Sequence, residues 1–351
     1  TILAEKITTT TDGWENFETI NVGLDKTMSG ITQLCFLGLD SFGIFNLDKF
    51  TLSDAIGTND SLGLPSGPAV APISVRGNQI FFGDKVDSIA GNSFFWSTRI
   101  FKADRYYTDG VVSWLKQDWG SQLVRAALTV DDTKQGSLTP FDELGGYITE
   151  PYFNKSVVRT VAHSAIKNGM YVIIDWHAHK AEDHEAEAIE FFKAMATEYG
   201  QFNNVIYEIY NEPINTPWPT IKGYAERVIA EIRKIDPDNL IIVGTRFFSQ
   251  EVEEAADDPI LEPGTNNLAK NVAYTLHFYA GTHRNSLRQK AQRALDKGIA
   301  LFVTEWGTTP ASGFGEPDLA ETALWMDFLK QNNISHANWA INGIADESGT
   351  L

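Results

Sequence analysis

The sequence predicts an α/β protein, a (β/α)8 (TIM) barrel preceded by a partial β-rich segment and a linker. Eight short apolar runs recur after residue 72, amphipathic helical stretches separate them, and glycines stand where those helices should end. The first run is SFFWS (93–97), and QLVRAAL (122–128), YVIIDW (171–176), VIYEIY (205–210) and LIIVG (240–244) follow it. VAYTLH (272–277), ALFVTE (300–305) and HANWAI (336–341) complete the set. Near-continuous apolar character marks strands buried on both faces, as in a parallel sheet covered by helices. Between the runs, Val158, Val161, Ala165 and Ile166 recur at helical spacing, as do Ile189, Phe192, Ala196 and Tyr199. Gly169, Gly200 and Gly298 stand at the expected helix stops. Eight strand–helix units favour a closed barrel over an open sheet.

Upstream, residues 1–53 alternate polar and apolar positions in TQLCFLGL and IFNLDKFTL, with Gly and Asp between, which predicts short strands and turns. That is too little chain for a stable β-sandwich. Residues 54–72, DAIGTNDSLGLPSGPAVAP, have the Gly, Pro, Ser and Asn content of a linker. The barrel domain is therefore expected over 73–351. Ten residues follow the last apolar run, too few for a full closing helix, so a barrel cut short at its C-terminal end is expected.

Composition narrows the function classes. Lys+Arg 28 against Asp+Glu 46 gives a net charge of -18, which argues against nucleic acid and anionic membranes as partners. No apolar run approaches the ~20 residues of a membrane helix. Cys35 is the one cysteine, so no internal disulfide forms, and it reads as a small apolar filler. Nine Trp, eleven Tyr and 21 Phe supply flat apolar rings of the kind that stack on sugar faces.

In a barrel of this kind chemistry sits at the C-terminal ends of the strands. Arg125 falls in the second run, His177 directly after the third, Asn211 and Glu212 after the fourth, and His277 and Tyr279 at the sixth. Glu305 ends the seventh and Trp339 lies in the eighth. Two glutamates at the ends of strands four and seven face each other across the mouth, and retaining glycoside hydrolysis needs two carboxyl groups about 5 Å apart. Arg125 is expected to hold one of them, the nucleophile Glu305, ionised, because a nearby positive charge lowers a carboxyl pKa. Tyr279 would orient Glu305, Asn211 would bond the sugar 2-hydroxyl, and Glu212 would carry the acid proton.

LVRAAL, YVIIDWHAH, VIYEIYNEP, DPDNLIIVGT, YTLHFYAGTH, GIALFVTEWGT and ISHANWAI, in that order, resemble glycoside hydrolase family 5, and within it the bacterial endoglucanases of its second subfamily. The resemblance covers about residues 75–351. It implies Glu212 of NEP as acid/base and Glu305 of TEWG as nucleophile, with Arg125, His177, Asn211, His277 and Tyr279 completing the site. Trp96 and Trp339 would stack on glucosyl rings. It further implies a secreted, monomeric endo-β-1,4-glucanase (cellulase) working with retention on cellulose, carboxymethyl cellulose and related β-glucans, without a cofactor. The chain departs from the family pattern at Ile344 and Asp346, where relatives carry a substrate-contacting lysine and an acidic neighbour, and at Phe248, where they often carry Trp. Residues 1–53, through DGWENFETI and FNLDKFTL, resemble the C-terminal half of a family 6 carbohydrate-binding module, with Trp14 as a sugar platform and Asn46 as a hydroxyl ligand.

Plainer readings compete with these. His177 and His179, with Asp175, Asp183 and His184, offer metal-ligand types, but a strand-to-loop turn need not converge them. No metal is expected, and His179 and His184 read as loop residues. Arg125 also fits a structural barrel arginine paired with a carboxylate, and Trp96 and Trp339 fit core positions. Phe191, Phe192, Trp325 and Phe328 read as helix packing, and QEVEEAADD as a solvated helix face. Within hydrolases, mannan, xyloglucan or mixed-linkage glucan are rival substrates. Outside them the rival is a non-catalytic glucan-binding protein.

Overall fold

The computed structural model describes residues 64–130, 145–262 and 264–343. The chain divides into two compact units, Thr1–Ser66 and Gly67–Leu351. Trp14, Cys35, Asn46, Ile344 and Asp346 lie outside the described residues, as does most of the 54–72 stretch.

The second unit opens with three short strands, β1 (Ile73–Arg76), β2 (Gln79–Phe82) and β3 (Lys85–Val86), in one antiparallel sheet. Eight parallel strands then close a barrel: β4 (Ala90–Phe94), β5 (Leu123–Thr129), β6 (Tyr171–His177), β7 (Val205–Glu208), β8 (Ile241–Val243), β9 (Val272–Tyr279), β10 (Leu301–Gly307) and β11 (His336–Ile341). Neighbours follow chain order around the ring, and β11 pairs with β4 to shut it. Seven of the eight predicted runs coincide with strands to within a few residues. The first does not. The strand is AGNSF, ending at Phe94, so Trp96 lies beyond it on the mouth. Polar Asn92 and Ser93 are buried within β4, and an apolar-run criterion slides past them onto the aromatic residues that follow.

Helices α1 (Ala103–Tyr106), α2 (Asp109–Gln117), α3 (Pro151–Lys167), α4 (Glu185–Tyr199) and α5 (Trp218–Arg233) lie between the strands. Further along come the short turn α6 (Arg246–Ser249), then α7 (Val252–Asp257), α8 (Asn285–Asp296) and α9 (Leu319–Asn332). On α3 the predicted stripe is buried, Val158, Val161, Ala165 and Ile166 together with Val157; on α4 Phe192, Ala196 and Tyr199 are buried as predicted, but Ile189 is only half-buried and Ala188 and Phe191 take the inward positions beside it. Burying each larger side chain contributes about 1.5–3 kcal/mol. Pro begins α3 and sits in the first turn of α5, where its missing N–H costs nothing. Gly169 (φ 62) and Gly298 (φ 99) take the left-handed turns that stop α3 and α8, whereas Gly200 caps α4 in the ordinary right-handed region. Glu251 and Glu253 of the acidic stretch pair with Lys290 and Arg293 of α8, so that face packs by ion pairs against its neighbour.

The N-terminal sheet plugs one end of the barrel. Ile73 and Ile80 join Leu123, Tyr171, Ile173, Ile206, Ile242 and Phe302 in a single buried cluster near the strand starts. Asn271 clamps the sheet at the entry to β9, accepting from Val75 N–H at 2.8 Å and donating to the Ile73 carbonyl at 2.9 Å. The lumen is thus apolar and buried at that end, and charged side chains lie further along the strands.

Candidate active site

Alternation along each strand sends every second residue inward. From the apolar floor, β5 continues to Arg125, β6 to Asp175 and His177, β7 to Glu208, and β9 to Thr275, His277 and Tyr279. Strict alternation from Phe302 on β10 would send Thr304 inward and Glu305 outward. The ladder is irregular there, between Phe302 and Glu305 towards β9 and between Val303 and Trp306 towards β11. An irregularity of this kind re-aims side chains. Thr304 Oγ1 meets His277 and Glu208, while the Glu305 carboxylate also reaches the lumen.

Arg125 is the hub. Fully buried, it donates from Nε to Glu208 Oε2 (2.7 Å), from one terminal nitrogen to Glu305 Oε2 (3.3 Å) and Ser93 Oγ (3.4 Å), and from the other to Asn211 Oδ1 (2.7 Å). The latter nitrogen also pairs with Asp175 Oδ2 at 2.9 Å. One guanidinium therefore faces three carboxyl groups. Burial pushes Asp175 up to about 8 and Glu208 up to about 7 against the pull of Arg125, since protons relieve what one positive charge cannot.

Glu305 accepts from Arg125 and, at 2.7 Å, from the Tyr279 hydroxyl, two donors suited to an anion. The phenol keeps its proton, because burial and the adjacent Glu305 charge push it well above 10.0. Gly307 makes room for this ring: a Cβ there would lie 2.7 Å from Tyr279 Cδ1. Glu212, just past β7, is held otherwise. Its Oε1 lies 2.8 Å from His277 Nδ1, and its Oε2 lies 3.9 Å from His179. Burial pushes His277 down to about 4, so the ring is neutral near neutrality.

His177 shows how the aromatic wall is set. Its Nδ1–H donates to Asp175 Oδ2 at 2.7 Å, which leaves Nε2 to accept from the Trp96 indole N–H at 3.0 Å. Burial holds this imidazole neutral, well below 6.5. Trp339 stacks on the His177 ring at 5.3 Å and 9°, and it packs with Phe95, Trp96 and Tyr279 in a second cluster.

The structure brings together every predicted barrel residue: Arg125, His177, Asn211, Glu212, His277, Tyr279, Glu305, Trp339 and, at the rim, Trp96. Arg125 is at once the structural barrel arginine and the partner of Glu305. Four more residues belong to the cluster. Asp175 figured only as a metal ligand and His179 as a loop residue, while Glu208 and Thr304 escaped notice. Asp175 and Glu208 carry a readable signal, since each is an acid interrupting an apolar strand run and a buried charge must find a partner. On the rim, Phe247 and Phe248 follow β8 in the left-handed region (φ 53 and 57), and Phe248 meets His179 edge-on at 6.2 Å.

As for metals, Glu212, His277 and Glu305 are the one group among the described residues whose potential ligand atoms converge, within 4.8 Å of one another. Both imidazole nitrogens of His277 are already engaged, by Glu212 and by Thr304. His177, His179, Asp175, Asp183 and His184, the rival metal-ligand set, do not converge in that way.

The profile of the cellulase family, glycosyl hydrolase family 5, matches residues 78–344. The chain belongs to glycosyl hydrolase family 5. It is 54% identical over 275 residues to Endoglucanase Z of Dickeya dadantii, across 78% of this chain and 60% of that protein. To an endoglucanase of Clostridium saccharobutylicum it is 44% identical across 68% of this chain and 50% of the relative. The chain thus spans about half the length of these curated relatives. Among solved structures, the catalytic domain of Thermobifida fusca endoglucanase Cel5A in complex with cellotetraose superposes with a TM-score of 0.69 at 28% identity. That match covers 80% of this chain and 88% of the other.

Proposed function

We propose that this family 5 protein is an endo-β-1,4-glucanase, a cellulase that cuts internal bonds of β-1,4-glucan with retention of configuration. The observation that carries the reading is the approach of Glu212 and Glu305, whose nearest oxygens come within 4.8 Å. Retaining enzymes hold their two carboxyl groups about 5–5.5 Å apart, whereas inverting ones need about 6.5–9.5 Å to admit a water. Glu305, bonded by two donors, attacks the anomeric carbon, and the C1–Oε bond forms as the glycosidic C–O bond breaks. Glu212 passes its proton to the leaving oxygen. Water then enters, Glu212 takes its proton back, and the glycosyl–Glu305 ester is cleaved. The Asn211 amide, its oxygen committed to Arg125 and its nitrogen 3.5 Å from His177 Nε2, has a second N–H to give a 2-hydroxyl. Trp339 and Trp96 offer faces to glucosyl rings.

The names of the relatives, endoglucanases all, support glucan as substrate, as does the cellotetraose bound by the Thermobifida protein. The finer parts of the reading are membership in the second subfamily, a monomer acting outside the cell, where its polymeric substrate lies, and a partial family 6 carbohydrate-binding module over 1–53 joined by the 54–72 linker. The test is viscosity loss and reducing-end release on carboxymethyl cellulose. Wild type should lower viscosity quickly, and Glu305→Gln, shown to be folded, should be slower by on the order of 10⁴-fold or more. Folded wild type inert on this substrate but active on mannan, xyloglucan or mixed-linkage glucan would replace the substrate while keeping the mechanism. Cellulose binding without cleavage of any of these would make the protein a binding module.

A further inference from the structure

Glu208 ends β7 four residues before Glu212, and its side chain is wholly buried. Its two oxygens are used differently. Oε2 accepts from Arg125 Nε at 2.7 Å, while Oε1 accepts from Thr304 Oγ1 at 2.6 Å and, less closely, from Thr275 Oγ1 at 3.4 Å. Thr304 Oγ1 lies 2.8 Å from His277 Nε2, and His277 Nδ1 lies 2.8 Å from Glu212 Oε1. An unbroken file of hydrogen bonds therefore runs from a carboxylate that no substrate can touch to the acid/base.

The direction of the protons along this file is dictated from the Glu208 end. A hydroxyl has a single hydrogen, and above about pH 7, where Glu208 is ionised and held by Arg125, it points to that carboxylate. Thr304 then has only lone pairs for His277, so Nε2 must carry a hydrogen. A neutral imidazole has one N–H, which leaves Nδ1 bare. A bare nitrogen facing a carboxylate oxygen needs a proton between them, and that proton belongs to the carboxyl of Glu212. We propose that Glu208 is a positioning residue for the reaction: through Thr304 it fixes His277 in the tautomer that turns a bare Nδ1 to Glu212, so that Glu212 is loaded with its proton before substrate arrives.

The inference rests on the reading of Glu212 as acid/base. Glu208 is faced by Arg125 from β5, Asp175 from β6, Thr275 and His277 from β9 and Thr304 from β10. Glu212 is faced by Asp175 and His177 from β6, His179 and His283 from the loops, His277 and Tyr279 from β9 and Glu305 from β10. The alternative of a charged His277 beside an ionised Glu212 is disfavoured near neutrality, because burial holds that imidazole down at about 4. Reversing the file, with a donor in place of Oε1, would turn the Thr304 hydrogen to Nε2, move the ring hydrogen to Nδ1, and leave Glu212 an acceptor without its proton.

Glu208→Gln makes that reversal. Arg125 Nε demands an oxygen, so the amide oxygen takes the place of Oε2 and the NH2 faces Thr304. In the full chain, the basic limb of the kcat/KM–pH profile on carboxymethyl cellulose is expected to move down by about one pH unit or more. The loss should be large on glucosides with poor leaving groups and small on dinitrophenyl cellobioside, whose leaving group needs no proton. Thr304→Val should show the same split, and Thr304→Ser should restore the wild-type profile. Nitrogen-15 NMR of the histidine rings should find the His277 hydrogen on Nε2 in wild type and on Nδ1 in Glu208→Gln. A wild-type His277 carrying its hydrogen on Nδ1 would overturn the inference even if Glu208→Gln fails to fold. So would unchanged profiles in folded Glu208→Gln and Thr304→Val while Glu212→Gln is crippled on poor leaving groups. Full activity of Glu212→Gln on those substrates would instead remove the acid/base reading, and this inference with it.

Discussion

The two ends of the barrel lumen are lined by the same eight strands and filled in opposite ways. At the strand starts, Ile73 and Ile80 of the N-terminal sheet close over Ile173, Ile206, Ile242 and Phe302. One or two inward positions further along the same strands, Arg125, Asp175 and Glu208 meet with no solvent between them. The floor gains from apolar surface removed from water. Charges taken out of water are paid back only by their mutual geometry, and an ion cluster is fragile to loss of any one member. One end of the barrel thus supplies stability, while the other draws on it to hold groups where chemistry needs them.

That contrast can be broken at its centre. Arg125→Ala would strand Asp175 and Glu208 in the core, and urea denaturation should register a loss of about 3–5 kcal/mol, together with loss of glucanase activity. Ile80→Ala, at the floor, should cost about 2–4 kcal/mol by cavity formation yet leave kcat unchanged at temperatures where the protein stays folded. If Ile80→Ala lowered kcat at constant fold, the two ends would not be separable. Tyr279→Phe removes one donor from Glu305 without a cavity. It should slow hydrolysis of carboxymethyl cellulose about 10- to 100-fold, with little change in the unfolding midpoint.

The smallest expected effect lies in pH. Asp175 and Glu208 have folded values of about 8 and about 7, raised from 3.8 and 4.5 by burial. The stability they contribute when protonated is fully present below the unfolded values and is lost as pH rises through the folded ones. His277 and His336, pushed down to about 4 by burial, act in the opposite sense, losing stability as pH falls below 6.5. His177 and His283 are lowered in the same way as His277 and His336, and above about pH 7 the carboxyls dominate the change, so the melting temperature should drop between pH 7 and 8, on the order of 2–4 °C. Asp175→Asn should flatten that slope, whatever it does to the absolute midpoint.

Much of this architecture could be read along the chain. Parallel strands are covered on both faces, so VAYTLH or YVIIDW is apolar throughout and declares itself, and the residues just past such runs fall at the mouth. Glu212 and Asn211 after β7, and His277 and Tyr279 at the end of β9, followed directly. The first strand was displaced because AGNSF hides polar residues inside a closed ring. The antiparallel plug at 73–86 went unread because two- and four-residue strands carry too little periodicity.

What the sequence by itself determined, then, is the barrel, the order of its strands, and the residue types delivered to its mouth, because each depends on local pattern and on the topology that pattern forces. Tertiary structure alone decided how those residues share their protons and charges. Only ring closure sets Arg125 against three carboxyls, only the irregular ladder at 302–305 turns both Thr304 and Glu305 into the lumen, and only their meeting with Glu208 and His277 joins one carboxyl group to the other. Each of these is a distance between residues far apart in the chain, and such a distance leaves no mark on local spacing.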